Sequence, residues 1–167
     1  SWKLGDPRDE DVVVGPMVEG PHFEKVKSFI ATTEKEGGKL VQGGKIHSDL
    51  GSGWYIEPTI FDNVTADMTL FQQEVFGPIL AVTTFTSEEE AVALANDSSY
   101  GLAASLYTEN LRCAQRVSRA IRAGTVSING FSEGDITTPF GGFKQSGFGG
   151  RDKGLEALQQ YVQTKTI

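Results

Sequence analysis

From residue 79 to residue 129 the sequence switches repeatedly between two hydrophobic periods, and this alternation limits the fold more than any other feature. Residues 79–85 are a β-branched run with the character of a buried strand. Ser87 followed three residues later by Glu90 forms a capping box that opens a helix through Asn96, with Ala91, Leu94 and Ala95 facing inward. Residues 103–107 read as a strand. Residues 109–123 read as a helix closed by Gly124, with Leu111, Ala114, Val117 and Ile121 as its apolar stripe. Residues 125–129 read as a strand again. Strand–helix–strand alternation requires crossover connections, so the predicted class is α/β: a mainly parallel sheet with helices on both faces.

The flanking segments fit that class. Residues 21–37 carry Phe23, Val26, Ile30 and Thr33 on one stripe, widened by Phe29. Pro at the first turn and Gly-Gly at the end bound this amphipathic helix. Residues 39–42 and 55–61 read as short strands around a Gly-rich connection. Residues 153–161 read as a helix, and residues 162–167 as the start of a strand. The length of 167 residues corresponds to one domain.

Composition excludes several function classes. The net charge of −7 argues against a nucleic-acid partner, which needs a basic footprint. The arginines at 112, 116, 119 and 122 are the one basic cluster and read as a solvated helix face. No stretch approaches the ~20 apolar residues of a membrane helix, and no signal peptide is visible at the polar start. A single cysteine, Cys113, permits no internal disulfide and favours a reducing, cytoplasmic setting. One thiol and two separated histidines, His22 and His47, do not make a zinc site, so no metal is expected on side chains. The glycines at 147, 149 and 150 lack the spacing of a dinucleotide fingerprint.

Two Gly- and Pro-bounded blocks carry the chemistry. Residues 74–78 read Glu-Val-Phe-Gly-Pro and residues 139–147 read Pro-Phe-Gly-Gly-Phe-Lys-Gln-Ser-Gly. Glycine frees the backbone, proline stops it, and the loop presents an acid or an aromatic. Taken alone, Glu74 reads first as a solvated acid, and Phe140 as readily as a core aromatic. In this order, the blocks resemble the C-terminal half of the aldehyde dehydrogenase superfamily. The resemblance runs from Gly-Asp-Pro at 5–7 to Lys-Thr-Ile at 165–167.

The resemblance implies a C-terminal portion of a catalytic domain spanning residues 1–167. It implies an NAD or NADP cofactor, with Glu74 accepting from the nicotinamide ribose hydroxyls and Phe76 packing beside the ring. Phe140 would line the substrate tunnel, and Phe131 and Asp135 would contact the substrate. Glu133 and Asp135 near a tunnel would favour a cationic aldehyde, unless they form only a solvated acidic loop. The segment 134–147 looks most like the bacterial aminoaldehyde branch. Two departures from the common family pattern stand out: Gln73 where many members have an acid, and an additional glycine in the run 147–150. Some members bind potassium through backbone carbonyls at positions matching Lys144 and Gly147.

The implied reaction is oxidation of a small aldehyde to a carboxylate. A cysteine thiolate adds to the carbonyl, an oxyanion pocket holds the charge, and a general-base Glu activates water. Cys113, mid-helix, does not suit the nucleophile, which in the family lies upstream of this region. No catalytic residue is therefore assigned, and the chain alone is expected to be inactive. The parent enzyme is expected to be a cytoplasmic homo-oligomer acting on a small-molecule aldehyde. Two alternatives stay open at this point: a free-standing fragment that only binds partner chains, and CoA-acylating semialdehyde chemistry.

Overall fold

A computed structural model describes residues 2–132 and 134–167. The chain divides into two compact units, Ser1–Thr84 and Phe85–Ile167.

The first unit is organised by α1, Gly20–Glu36. Its predicted stripe is the buried face: Phe23, Val26, Phe29, Ile30 and Thr33 are all buried. Thr33 is the polar member, and its hydroxyl donates to the Phe29 carbonyl at 2.8 Å, so burial leaves no donor unmet. The helix ends at Gly37 in the left-handed region, φ 101°. β1 (Lys39–Gln42), β4 (Thr59–Asp62) and β5 (Ile79–Ala81) form one sheet in the order β1-β4-β5. β1 pairs antiparallel to β4, and β4 pairs parallel to β5. β2 (Ile46–His47) and β3 (Tyr55–Ile56) make a separate antiparallel hairpin. The short α2, Thr69–Gln72, precedes β5. Ile56, Phe61, Val64, Met68, Leu70 and Val75 close the core against α1.

In the second unit, β6 (Ala103–Leu106) and β7 (Thr125–Ile128) pair in parallel from Ala103↔Thr125 to Leu106↔Ile128. α4, Leu111–Ala120, connects them and packs on both. α3, Glu88–Asn96, starts at Ser87, whose hydroxyl accepts from the Glu90 N–H at 3.1 Å. The Glu90 carboxylate turns back to Thr86, accepting from its N–H and hydroxyl at 2.7 Å each. Arg116 forks onto Glu88 at 2.8 and 2.7 Å, joining α4 to α3.

The α/β class and the parallel pairing are as predicted, and the strands are shared among three small sheets. Several element boundaries differ, each for a local reason. The single strand expected over 55–61 is two, because Pro58 has no N–H to contribute to a ladder. The strand expected over 79–85 pairs only at Ile79–Ala81, and Leu80 and Phe85 are exposed rather than buried. α4 begins at Leu111 because the Asn110 side chain accepts from the N–H groups of Arg112 and Cys113 at 3.0 and 3.1 Å. Leu111, the first helical residue, is therefore exposed, while Ala114 and Val117 carry the buried stripe.

Gly124 does not close α4, which ends at Ala120. A Cβ at 124 would lie 1.7 Å from the Gly141 carbonyl oxygen, so close approach of a loop, not a cap, requires glycine there. On α3, Ala95 faces outward. The helix expected over 153–161 is a 3₁₀ stretch, Leu155–Gln160, with Leu155 and Leu158 exposed and no apolar face buried to extend it. The residues at 162–167 are exposed and form no strand. Among the described residues, no helix is long and apolar enough to cross a membrane.

Candidate functional site

The candidate site residues fall in two places, one in each unit. The first is the turn at 74–78. It alternates outward and inward with the period of extended chain. Glu74 is exposed, Val75 is buried in the core, Phe76 is 74% exposed, and Gly77 is half-buried. No room exists for a side chain at 77, since a Cβ would stand 2.7 Å from Cγ2 of the fully buried Val26. Phe76 itself adopts φ 55°, a left-handed conformation that costs a non-glycine residue roughly 1–2 kcal/mol. Its carbonyl is held by His22 Nε2 at 2.5 Å. A carbonyl can only accept, so the proton of that imidazole sits on Nε2. Beyond the turn, the Pro78 carbonyl accepts from the Thr59 N–H at 2.8 Å, which seats β5 on β4.

The result is an outward carboxylate and an outward aromatic ring, two positions apart, on a backbone anchored at 75 and 77. The Glu74 carboxylate has no hydrogen-bond or ion-pair partner among the described residues, so both oxygens are available as acceptors. This arrangement fits a vicinal diol beside a flat heteroaromatic ring.

The second place is the loop from 129 to 147. Asn129 sets its start with φ 53°, and its side chain bonds the Thr108 N–H and carbonyl at 2.8 and 2.9 Å. Phe131 is 92% exposed. Glu133 lies outside the described residues. Asp135 is exposed, but its Oδ1 accepts from the Thr137 N–H and hydroxyl at 2.7 and 2.6 Å. Those hydrogen bonds hold its carboxyl below the usual carboxylate range. Phe140 is half-buried, with the Lys153 ammonium 5.3 Å from its ring centroid.

The end of this loop is clamped to the turn after α3. The Phe143 N–H donates to the Gly101 carbonyl at 2.8 Å, and the Gly101 N–H donates to the Ser146 hydroxyl at 3.1 Å. The Lys144 ammonium donates to the Asn96 and Ser98 carbonyls at 2.8 Å each. Among the described residues, no group of three or more His, Cys, Asp or Glu side chains gathers as a metal site.

Cys113 is partly buried on α4. It does have an acidic neighbour, which its sequence position alone did not reveal. The Glu88 carboxyl is held below its ordinary range by Arg116 first and further by Cys113. A carboxylate so stabilised is a weak base, so Cys113 still makes a poor nucleophile.

A sequence profile of the aldehyde dehydrogenase family matches residues 1–167. The chain belongs to the aldehyde dehydrogenase family. It is 49% identical to aminoacetaldehyde dehydrogenase of Pseudomonas aeruginosa over 166 residues, covering 99% of this chain and 33% of that protein. It is 45% identical to the NADP/NAD-dependent aldehyde dehydrogenase PuuC of Escherichia coli, covering 100% of this chain and 33% of that one. Among solved structures, a mutant of P. syringae AldA indole-3-acetaldehyde dehydrogenase in complex with NAD+ and IAA superposes with a TM-score of 0.94 at 48% identity. The match covers 98% of this chain and 33% of that one. A Mycobacterium tuberculosis aldehyde dehydrogenase complexed with NAD+ gives 0.92 at 39% identity, with the same coverage. The chain thus has the fold of part of an aldehyde dehydrogenase and spans about a third of the length of these family members.

Within that family fold, sequence reasoning found the outward residues Glu74 and Phe76 but missed His22. Its signal was a histidine one residue after the helix-opening Pro21 and 54 residues before Phe76, a pairing that only the fold makes visible. It also missed that Lys144 ties its loop to the end of α3, because a lysine in a Gly-rich loop reads as solvated.

Proposed function

We propose that residues 1–167 are the C-terminal portion of the catalytic domain of an NAD(P)-dependent aldehyde dehydrogenase, and that the whole protein oxidises an ω-aminoaldehyde to a carboxylate. The observation that carries this reading is the turn at 74–77, with a free carboxylate and an exposed aromatic on an anchored backbone. The relatives support the substrate class: aminoacetaldehyde dehydrogenase is 49% identical and a Rhizobium leguminosarum betaine aldehyde dehydrogenase 44% identical.

In this reading Glu74 accepts hydrogen bonds from the ribose hydroxyls of the cofactor, and Phe76 covers the nicotinamide and excludes water. NAD(P)+ when bound supplies the hydride acceptor. Phe140 and Phe131 line the approach of the aldehyde. Asp135, kept ionised by Thr137, attracts an incoming ammonium group. The nucleophile and the general base are not assigned to this chain, and the isolated 167-residue chain is inactive. The whole enzyme is a homo-oligomer in a reducing, cytoplasmic setting, consistent with the single cysteine.

Glu74→Gln in the full-length protein tests the cofactor assignment. The shape is kept, and a charged acceptor becomes a neutral one. The expected loss is about 1.5–3 kcal/mol in the hydride-transfer step, with little change in aldehyde affinity. A single-turnover burst of NADH at the wild-type rate would remove Glu74 from the cofactor site.

A further inference from the structure

We infer that His22 is a positioning residue for the cofactor turn: its imidazole fixes Phe76 in the left-handed conformation that turns the ring outward. This inference rests on the cofactor reading of Glu74 and Phe76.

The argument is one of anchors. Val75 and Gly77 secure the backbone on either side of Phe76 by packing, Val75 as a core residue and Gly77 against Val26. Packing at 75 and 77 sets where the chain runs. It leaves the orientation of the peptide plane between 76 and 77, and with it ψ of Phe76, to hydrogen bonding, and turning that plane would take Phe76 out of its left-handed conformation. A directional bond to the Phe76 carbonyl removes this freedom, and His22 Nε2 makes that bond at 2.5 Å. His22 is well placed for the task. It sits in the first turn of α1, next to Phe23, which is packed in the core, and it is itself half-buried. The donor is thus fixed to a helix whose apolar stripe lies in the core of the unit.

The test compares His22→Ala, His22→Gln and Glu74→Gln in the full-length protein. Two readouts are taken: hydrogen–deuterium exchange of residues 75–80 without cofactor, and NAD+ affinity by fluorescence quenching. Exchange in 75–80 should speed up in His22→Ala, and the NAD+ dissociation constant should rise about fivefold to tenfold, as for loss of one hydrogen bond. His22→Gln retains an N–H donor and should recover most of both. Unchanged exchange in His22→Ala overturns the inference whatever happens to binding. Faster exchange with unaltered NAD+ affinity also overturns it. In that case a weakened Glu74→Gln leaves the cofactor reading standing, while an unaffected Glu74→Gln removes that reading as well. Loss of thermal stability in His22→Ala that His22→Gln does not restore would assign His22 to general packing and likewise overturn its positioning role.

Discussion

The Lys144 ammonium donates to the Asn96 carbonyl at 2.8 Å, at the last residue of α3. The bond satisfies a helix-end carbonyl that has no partner within the helix, and a positive charge is favourable at that end. A second bond to Ser98 completes the fork. Lys144→Met keeps the length of the side chain and removes both donors. It should lower stability by about 1–2 kcal/mol, read as a shift of the urea midpoint at unchanged slope. An unshifted midpoint would show that solvent serves these carbonyls equally well.

Gly77 and Val26 should be strongly coupled. Gly77→Ala places a methyl 2.7 Å from Val26 Cγ2 and 3.1 Å from Cγ1, and overpacking of this kind costs roughly 1–3 kcal/mol. Val26→Ala opens a cavity at a fully buried position and is destabilising in its own right. Combined, the methyl of one occupies the space vacated by the other. The double variant should therefore lose less stability than the two single losses together. Simple additivity in chemical denaturation would mean that the turn moves away instead of pressing on α1.

Asp135→Asn separates charge from shape. The Asn oxygen can still accept from Thr137, so the turn at 135–138 should persist. If Asp135 meets the substrate, kcat/KM for aminoaldehydes should fall severalfold while neutral aldehydes are spared, and the difference should shrink as salt rises. Equal losses for both substrate classes would leave Asp135 a structural role only.

The β2–β3 hairpin should weaken with rising pH. His47 Nδ1 lies 3.2 Å from Asp49 and Nε2 lies 2.9 Å from Glu57, so both ring nitrogens face carboxylates. Both positions are satisfied only by imidazolium, and Glu57 chiefly, then Asp49, raises the His47 pKa against the effect of burial. A raised pKa contributes stability that is fully present below the unfolded value near 6.5 and is lost as pH climbs through the higher folded value. Amide exchange in 46–56 should speed up between pH 6 and pH 8 beyond its intrinsic rise, and His47→Gln should remove the excess. A hairpin with no such excess would mean that the carboxylates leave the imidazole in solution.

The legible parts of this chain were those whose information is local and periodic. The α1 stripe at 23, 26, 29, 30 and 33 was read in full, because helical spacing and a buried face are the same statement. Ser87 was readable as a cap for a similar reason. The alternation at 74–77 could not be read that way. Whether Phe76 points in or out depends on Val26, some fifty positions earlier, and on the donor at His22. Gly124 was misassigned as a cap because its true constraint, the Gly141 carbonyl, lies in a different segment. The start of α4 moved inward because one side chain, Asn110, outweighed the propensity of the residues before it. Identity of the family was legible because the blocks at 74–78 and 139–147 stand in one chain in that order.

The inward and outward alternation of 74–77 has a consequence for anyone redesigning the enzyme. Val75 and Gly77 pack on the core that α1 closes, so a substitution at either is also a change to the packing of α1. The loop around Phe131 and Asp135 is free of this bind. Phe131 is almost wholly in solvent, and among the described residues Asp135 bonds only to residues of its own turn. Phe131 and Asp135 can therefore vary at little risk to the fold, while Val75 and Gly77 stay fixed. On the proposed function, libraries aimed at new aldehydes should vary Phe131 and Asp135 and leave Val75 and Gly77 untouched.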